Sequence, residues 1–191
     1  MIRPTPPAIR GTRNRRNFDR SPQVVFWEVT RACDLACRTC RVGAPGLAHD
    51  GELGTDDSLR LIEQLAGFPA PPQLNLFGGD PLRRADIFEL IGHAVDRQLR
   101  VSVNLGATDL ATAAAIQGLR EAGAGEISVH IDGADAATND RIRDVAGGFE
   151  RSWRMLADAR AAGLPTRVIT TVTRENVDQL DHIAEFLAQR G

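Results

Sequence analysis

All three cysteines of this 191-residue chain stand in one short segment, CDLACRTC. Cys33, Cys37 and Cys40 follow a C-x3-C-x2-C spacing. Thiolates are soft ligands that suit iron–sulfur clusters and zinc. In a cubane cluster of four irons, three cysteine ligands leave one iron able to bind a substrate or cofactor chelate. The spacing therefore predicts a metal site with an open coordination position.

Three other interpretations of these cysteines remain. Positions i, i+4 and i+7 also share one face of a helix, and free cysteine is often buried. A Cys3His zinc site would recruit His49 as its fourth ligand. A disulfide with one spare thiol is the third alternative, although an odd cysteine count without a secretory signal disfavours a disulfide framework. Metal or redox chemistry in a reducing compartment fits better and predicts a cytoplasmic protein.

The composition is that of an ordinary globular chain, with 42% hydrophobic residues, 25% charged residues and a net charge of −2. This balance gives no reason to expect a nucleic-acid or membrane partner. No apolar run approaches the roughly 20 residues that span a bilayer. The 23 basic residues are all arginine, which excludes Schiff-base lysine chemistry and a Walker-type phosphate lysine.

Two regions are predicted along the chain. Residues 1–22 are rich in proline and arginine and have no apolar signal core, so we expect a flexible tail there. In residues 23–191, short apolar runs alternate with longer amphipathic segments. This alternation is typical of repeated βα units and a parallel sheet.

We count five βα units. The predicted strands are Val24–Val29, Leu74–Phe77, Val101–Leu105, Ile127–Ile131 and Val168–Val172. The first helix begins at Thr55 as N-cap, and the second runs through Ile87–Val95. The third helix carries Leu110, Ala114 and Leu119 and stops at a C′ glycine, Gly123. The fourth helix spans about Phe149–Ala162. The fifth helix opens with an Asn176/Gln179 capping box.

Alternation along the strands predicts a polar interior. Ser128, His130 and Asp132 share one face of the fourth strand, and Ser102 and Asn104 share one face of the third. A barrel centre that only filled space would favour bulky branched side chains. A polar interior near the carboxyl ends of the strands therefore suggests a bound ligand, and the alternative is a solvated face of an open sheet.

Four segments resemble the radical SAM superfamily. WEVTRACDLACRTC resembles its opening strand and cluster loop, and LFGGDPL resembles its GGEP motif. SVHIDGADAATNDRIR and TTVTRENVDQL resemble the fourth and fifth strand ends of members with a SPASM extension, which modify peptides or act in haem-related pathways. The resemblance covers residues 23–191. It implies the N-terminal core of such an enzyme, a partial TIM-type barrel with about five of six βα units and strand five as an exposed edge.

The resemblance also implies cofactors and partners. Cys33, Cys37 and Cys40 would ligate three irons of a [4Fe–4S] cluster, and S-adenosylmethionine would chelate the fourth. Reductive cleavage would give a 5′-deoxyadenosyl radical that abstracts hydrogen from a peptide or tetrapyrrole-type substrate. The electron would come from an external donor of the flavodoxin or ferredoxin type. The alternative is a non-catalytic or truncated metal-binding module of the same fold.

Five further residues match the family's cofactor-binding positions. Gly78 and Gly79 would let the backbone approach the methionyl ammonium, with Asp80, one methylene shorter than the usual glutamate, beside them. Arg143 would grip the methionyl carboxylate in a bidentate pair. His130 stands where related sequences often have a ribose-contacting serine, and its imidazole can donate to a hydroxyl.

Overall fold

The computed structural model describes residues 17–43 and 46–190, which form a sheet of five parallel strands flanked by helices. The strands lie side by side in chain order: β1 (Val24–Thr30), β2 (Gln73–Gly78), β3 (Arg100–Asn104), β4 (Glu126–His130) and β5 (Thr166–Ile169). Parallel strands in consecutive order are the arrangement of a (βα) barrel, here open between β1 and β5. The predicted α/β partial-barrel class is confirmed.

Six helices occur in the described residues. They are α1 (Thr55–Ala66), α2 (Ile87–Asp96), α3 (Ala113–Glu121), α4 (Ala136–Arg143), α5 (Gly148–Ala161) and α6 (Leu180–Arg190). Short 3-10 turns at Pro81–Arg83 and Val177–Gln179 precede α2 and α6. None of these helices is long and apolar enough to cross a membrane.

The core lies between the helices and one face of the sheet. Ile127 and Val129 of β4 pack in it with Ile62, Ile116 and Met155 from the helices. Burying each such side chain stabilises the fold by roughly 1.5–3 kcal/mol. The other face of the sheet carries a polar set that is also buried: Asn75, Ser102 and Ser128. The predicted division of the strands into an apolar and a polar face is therefore confirmed.

Strand β5 is shifted from its predicted position. It ends at Ile169, whereas the β-branched run predicted a strand to Val172. The reason is tertiary: Thr170 Oγ1 donates to the Ile131 carbonyl at 2.7 Å, and the Thr171 N–H donates to Asp132 Oδ1 at 2.7 Å. These bonds turn the chain over the end of β4 instead of extending the ladder.

Two details of the predicted helices are wrong. Helix α1 begins at Thr55 as predicted, but its N-cap is Gly54, and the hydroxyl of Thr55 instead donates to Asp86 at 2.8 Å. Leu110 lies before α3, which begins after Thr112 caps the Ala115 N–H at 3.2 Å. The predicted C′ glycine is confirmed, because Gly123 follows α3 with φ at +95°.

The predicted Asn176/Gln179 capping box is also wrong. The Asn176 side chain accepts from the Thr173 N–H at 2.7 Å, and the Gln179 side chain accepts from the Ala134 N–H at 3.0 Å. Both residues therefore bond to the segments around the ends of β4 and β5, and α6 begins only at Leu180.

Helix α4 was not predicted. Asp135 caps it by accepting from the Thr138 N–H at 2.7 Å, and Asp144 ends it in the left-handed region with φ at +58°. The segment contains one buried isoleucine among polar residues, so it lacks a continuous apolar stripe. The helix places Arg143 at its last position, facing the sheet.

The predicted tail falls partly outside the described residues, which begin at residue 17. Residues 17–22 form a turn, in which Ser21 is buried and accepts from the Ala70 N–H at 3.2 Å. The predicted boundary at residue 22 therefore lies within a segment that packs on the domain.

Candidate functional site

A cavity of about 500 Å³ lies at the carboxyl ends of the strands. Gly78 of β2, Asn104 of β3, His130 of β4 and Ile169 of β5 all contribute to its wall. The remaining wall comes from the segment between β1 and α1. This is the end of a (βα) barrel at which active sites form, because the loops there come from several strands.

The three cysteines line this cavity as free thiols. Cys33 is buried, and Cys37 and Cys40 are half-buried. They lie in a loop, so the alternative of a buried helix face is wrong. Burial raises the pKa of the Cys33 thiol, although its sulfur accepts a hydrogen bond from the Leu35 N–H at 3.4 Å.

The donor set suits an iron–sulfur cluster. Three thiols surround one cavity, and N–H donors approach two of the sulfurs, as hydrogen bonds do at cluster ligands. Among the described residues no group of His, Cys, Asp or Glu converges on a single metal ion. The cysteine ligands of a cubane lie farther apart than the ligands of one metal ion, because each cysteine binds a different iron. His49 accepts from the Gly51 N–H and is exposed, outside the residues that line the cavity.

Residues 31–42, here called the cysteine loop, are closed at their two ends. The Arg31 guanidinium donates to the Val42 carbonyl at 2.8 Å. The Glu52 carboxylate accepts from the backbone N–H groups of Arg31 at 2.7 Å and His49 at 2.8 Å. Burial would raise the pKa of Glu52, but these hydrogen bonds outweigh it and hold the pKa below its usual value. Glu52 therefore stays ionised at neutral pH and holds the start of the loop to His49, in the segment that follows the loop.

The middle of the cysteine loop is held by residues far along the chain. The Arg38 N–H donates to the Arg143 carbonyl at 3.0 Å. Its guanidinium donates to the Arg141 carbonyl at 3.1 Å and to Glu175 at 2.9 Å. Helix α4 and the segment after β5 therefore position the loop between Cys37 and Cys40.

Gly78 and Gly79 lie against the end of β1. The Gly79 N–H donates to the Thr30 carbonyl at 2.8 Å, and the next N–H, of Asp80, donates to the Ala32 carbonyl at 2.7 Å. A Cβ at Gly78 would overlap the Thr30 carbonyl oxygen, and Gly78 has φ at +147°. The two glycines therefore bring β2 directly against the start of the cysteine loop.

The side chain of Asp80 faces away from the cavity. Its carboxylate accepts from the Thr108 hydroxyl at 2.5 Å and from the Leu82 N–H at 3.1 Å. Complete burial raises the pKa of Asp80, against the lowering effect of these two hydrogen bonds. The carboxylate thus holds the turn after Gly79 in place, and the cavity wall at this point is backbone.

Arg143 points into the cavity from the end of α4. Its Nη1 donates to Asp132 Oδ2 at 2.9 Å, and its Nη2 lies 3.6 Å from the Cys37 sulfur. Arg143 is 8% exposed and Asp132 is fully buried. A buried charge pair of this kind costs desolvation and persists only with good geometry on both sides.

His130 and Asn104 provide polar atoms without a protein partner. His130 Nδ1 and Asn104 Oδ1 are buried, and no described residue makes a hydrogen bond to either. Burial lowers the pKa of His130, as does the positive charge of Arg143, while Asp132 opposes the shift. The imidazole is therefore neutral at neutral pH. Since buried polar groups are normally satisfied, these two atoms call for water or a ligand in the cavity.

An aromatic pair forms the β1 side of the cavity. Phe26 and Phe77 meet edge to face with ring centroids 6.3 Å apart, and Phe26 is 65% exposed. An exposed aromatic ring beside polar groups is a common feature of sites that bind organic ligands. No sequence pattern singled out this pair or the role of Asp132, although Asp132 does lie on the predicted polar face.

A parallel half-barrel with a thiol-lined cavity at its carboxyl ends defines the class to which this domain belongs. Residues 27–187 match the family model described as the radical SAM superfamily. The chain belongs to this superfamily of enzymes, as the four sequence motifs predicted.

Curated relatives of this chain include synthases and a maturase. The chain is 36% identical over 187 residues to an AdoMet-dependent heme synthase of Nitratidesulfovibrio vulgaris, covering 97% of this chain and 50% of that protein. It is 31% identical to the pre-heme d1 synthase of Dinoroseobacter shibae, a match that covers 100% of this chain and 45% of that protein. It is also 31% identical to the mycofactocin maturase MftC of Mycolicibacterium smegmatis, a match that covers 90% of this chain and 43% of that protein. The chain thus spans about half the length of the curated relatives it matches.

Solved structures share the fold. SuiB of Streptococcus suis, bound to S-adenosylmethionine, superposes with a TM-score of 0.76 at 16% identity, covering 89% of this chain and 39% of that one. The structure of anSMEcpe with bound AdoMet superposes with a TM-score of 0.70 at 12% identity, covering 88% of this chain and 49% of that one. At such low identity the agreement concerns the backbone architecture.

Proposed function

We propose that this domain holds a [4Fe–4S] cluster on Cys33, Cys37 and Cys40 and binds S-adenosylmethionine at the remaining iron. The observation that carries the proposal is that all three thiols line one cavity at the carboxyl ends of the strands. When bound, the cluster supplies the electron that cleaves S-adenosylmethionine to a 5′-deoxyadenosyl radical. The protein's part is to bind, orient and exclude side reactions.

The cavity residues suit the parts of S-adenosylmethionine. Backbone carbonyls of Gly78 and Gly79 would accept hydrogen bonds from the methionyl ammonium. Asp80 would not contact the ligand through its carboxylate but would hold the turn that follows the two glycines. Arg143 carries five N–H donors, of which the described contacts with Asp132 and Cys37 use two. The others would bind the methionyl carboxylate. His130, neutral and with Nδ1 unpaired among the described residues, would bond to a ribose hydroxyl.

The substrate we propose is of the tetrapyrrole type, with a peptide as the second candidate. Similarity to a heme synthase extends over nearly the whole chain, at 36% identity, and similarity to a mycofactocin maturase reaches 31%. The exposed ring of Phe26 offers a planar apolar surface at the mouth of the cavity, which suits a flat macrocycle. The electron would come from an external donor of the flavodoxin or ferredoxin type.

Cluster reconstitution tests this proposal. After anaerobic reconstitution the chain should hold about four irons with matching sulfide, and S-adenosylmethionine should change the electron paramagnetic resonance spectrum of the reduced cluster. Replacing Cys33, Cys37 or Cys40 with Ala should abolish cluster retention, because each substitution removes the only protein ligand of one iron. Thr39→Ala, inside the same loop, is the matched control and should keep the cluster.

The same experiment separates the enzyme from the non-catalytic alternative. Reduced protein should convert S-adenosylmethionine to 5′-deoxyadenosine, measured by chromatography. Stoichiometric zinc without iron after anaerobic purification would contradict the proposal. So would a cluster whose spectrum S-adenosylmethionine leaves unchanged.

A further inference from the structure

Asp132 and Arg143 form an ion pair inside the domain, behind the cysteine loop. Asp132 has no exposed surface and Arg143 is 8% exposed, with 2.9 Å between Oδ2 and Nη1. Taking two such charges out of water carries a large desolvation cost, which their mutual attraction offsets only with good geometry. A pair of this kind therefore needs further bonds that hold its geometry.

Asp132 is held from three sides. Its Oδ1 accepts from the Thr171 N–H at 2.7 Å, and its own N–H donates to Asn139 Oδ1 at 2.8 Å. Its carbonyl accepts from the Asn176 side chain at 2.8 Å. The segment after β5, helix α4 and the approach to α6 all converge on this one residue. The carboxylate has little freedom to move, so it sets the direction of the guanidinium that it binds.

The other end of the guanidinium reaches the cysteine loop. Arg143 Nη2 lies 3.6 Å from the Cys37 sulfur, and the Arg143 carbonyl accepts from the N–H of the next residue, Arg38, at 3.0 Å. The side chain of Arg143 therefore contacts Cys37, and its backbone carbonyl contacts Arg38, the next residue of the loop. Of the two half-buried thiols, Cys37 is the one that receives a charged donor in the described contacts.

Resting on the proposed function, we infer that Asp132 is a positioning residue that holds Arg143 against the ligand sulfur of Cys37 and thereby makes the cluster easier to reduce. A hydrogen bond and a positive charge at a ligand sulfur stabilise the added electron, and hydrogen bonding to the sulfurs is one of the factors that set cluster potentials. Residues that bond to a metal ligand orient that ligand and tune the metal centre.

The test is the midpoint potential of the reconstituted protein, measured without S-adenosylmethionine so that its binding does not contribute. Arg143→Gln should shift the potential to a more negative value, and Arg143→Lys, which keeps the charge without the planar fork, should lie between it and the unchanged protein. Arg141→Gln is the matched control. It removes an arginine from the same helix, but one whose side chain pairs with exposed Glu175, and it should leave the potential in place.

Asp132→Asn separates positioning from simple charge. Loss of a nearby negative charge alone would make reduction easier and raise the potential. Loss of positioning would release Arg143 from the Cys37 sulfur and lower the midpoint potential. We therefore expect the potential of Asp132→Asn to fall. A rise or no change would overturn the inference. In the Arg143→Gln background the same substitution should no longer lower the potential.

Iron content and circular dichroism identify variants that fold and load normally. If Asp132→Asn loses its cluster, the Arg143→Gln and Arg143→Lys pair decides: an unchanged potential in Arg143→Gln overturns the inference. A parent protein that takes up no four-iron cluster would overturn the proposed function and this inference together. A parent that loads and responds to S-adenosylmethionine, with variants of unaltered potential, would overturn the inference alone.

Discussion

Gly79 lies so close to the end of β1 that a side chain there has no space. A Cβ at this position would stand 2.6 Å from the Arg31 carbonyl oxygen, which is backbone and cannot rotate aside. The same contact brings the Gly79 N–H to the Thr30 carbonyl at 2.8 Å. The glycine pair therefore has a steric role in the fold that is independent of any ligand, in addition to the role that the family resemblance implies.

Gly79→Ala should destabilise the protein by about 1–3 kcal/mol, the usual cost of forcing extra volume into a packed region. Gly92→Ala is the control: Gly92 lies inside α2 with open space around its Cβ position. That substitution should be neutral or stabilising by up to about 1 kcal/mol, since alanine favours helix. Chemical denaturation of both variants gives the comparison. Equal stability of the two would contradict the steric argument.

At the scale of elements, the cysteine loop has no regular secondary structure of its own. Its shape depends on bonds to its neighbours, namely Arg31 to Val42, Glu52 to the loop entrance, and Arg38 to α4 and Glu175. A loop held by side chains can open locally at a lower free energy than the strands beside it. The Arg38 contacts are the exposed members of this set, so they are the ones that can be removed without damaging the core.

Arg38→Ala should speed amide exchange in the middle of the cysteine loop by about 2- to 10-fold. That range corresponds to the loss of a hydrogen bond of about 0.5–1.5 kcal/mol. Hydrogen–deuterium exchange with mass spectrometry would measure it on peptides covering residues 33–42. Arg60→Ala, which removes only an exposed ion pair within α1, should leave those peptides unchanged. Unaltered exchange in Arg38→Ala would contradict the prediction, because it would show that the remaining hydrogen bonds hold the loop without the Arg38 side chain.

At the scale of the molecule, the sheet is an open half-barrel. Strand β5 pairs with β4, and no other strand among residues 17–43 and 46–190 pairs with its far side. The N–H and C=O groups of such an edge are a template for pairing with another chain. The short length of β5, four residues, limits this tendency but does not remove it.

We expect the 191-residue chain to self-associate through β5. Sedimentation velocity at increasing concentration should show a growing sedimentation coefficient. Thr166→Lys, at an exposed position of β5, should reduce association because charged side chains disfavour edge pairing. Val177→Lys, at a position that is also exposed but lies outside the sheet, is the control. A parent chain that stays monomeric at all concentrations would refute the prediction.

Local patterns in the sequence were sufficient to predict the half-barrel and the thiols. Alternation of apolar runs with amphipathic segments identified five βα units, because burial of one face repeats at short range along the chain. The spacing of Cys33, Cys37 and Cys40 depends on three positions in one segment. The glycines at the end of β2 and the polar face of β4 are local in the same way. The strand order, the thiols, the glycines and the polar face all appear in the structure as predicted, whereas β5 is shifted toward the N-terminus.

Long-range contacts decided the rest. β5 ends early because Thr170 and Thr171 bond to the end of β4, some forty positions away in the chain. Helix α4 has too few apolar residues to show a periodic stripe, so its existence and the position of Arg143 depend on capping by Asp135 and on packing.

The same distinction applies inside the cavity. Asp80 looked like a cofactor contact, yet burial against Thr108 and Leu82 turns its carboxylate away. Asp132 drew no role from sequence, yet it binds Arg143 beside Cys37. A residue's type and its strand position are encoded locally. The partner that its side chain meets is set by how distant segments pack, and only the tertiary structure supplies that.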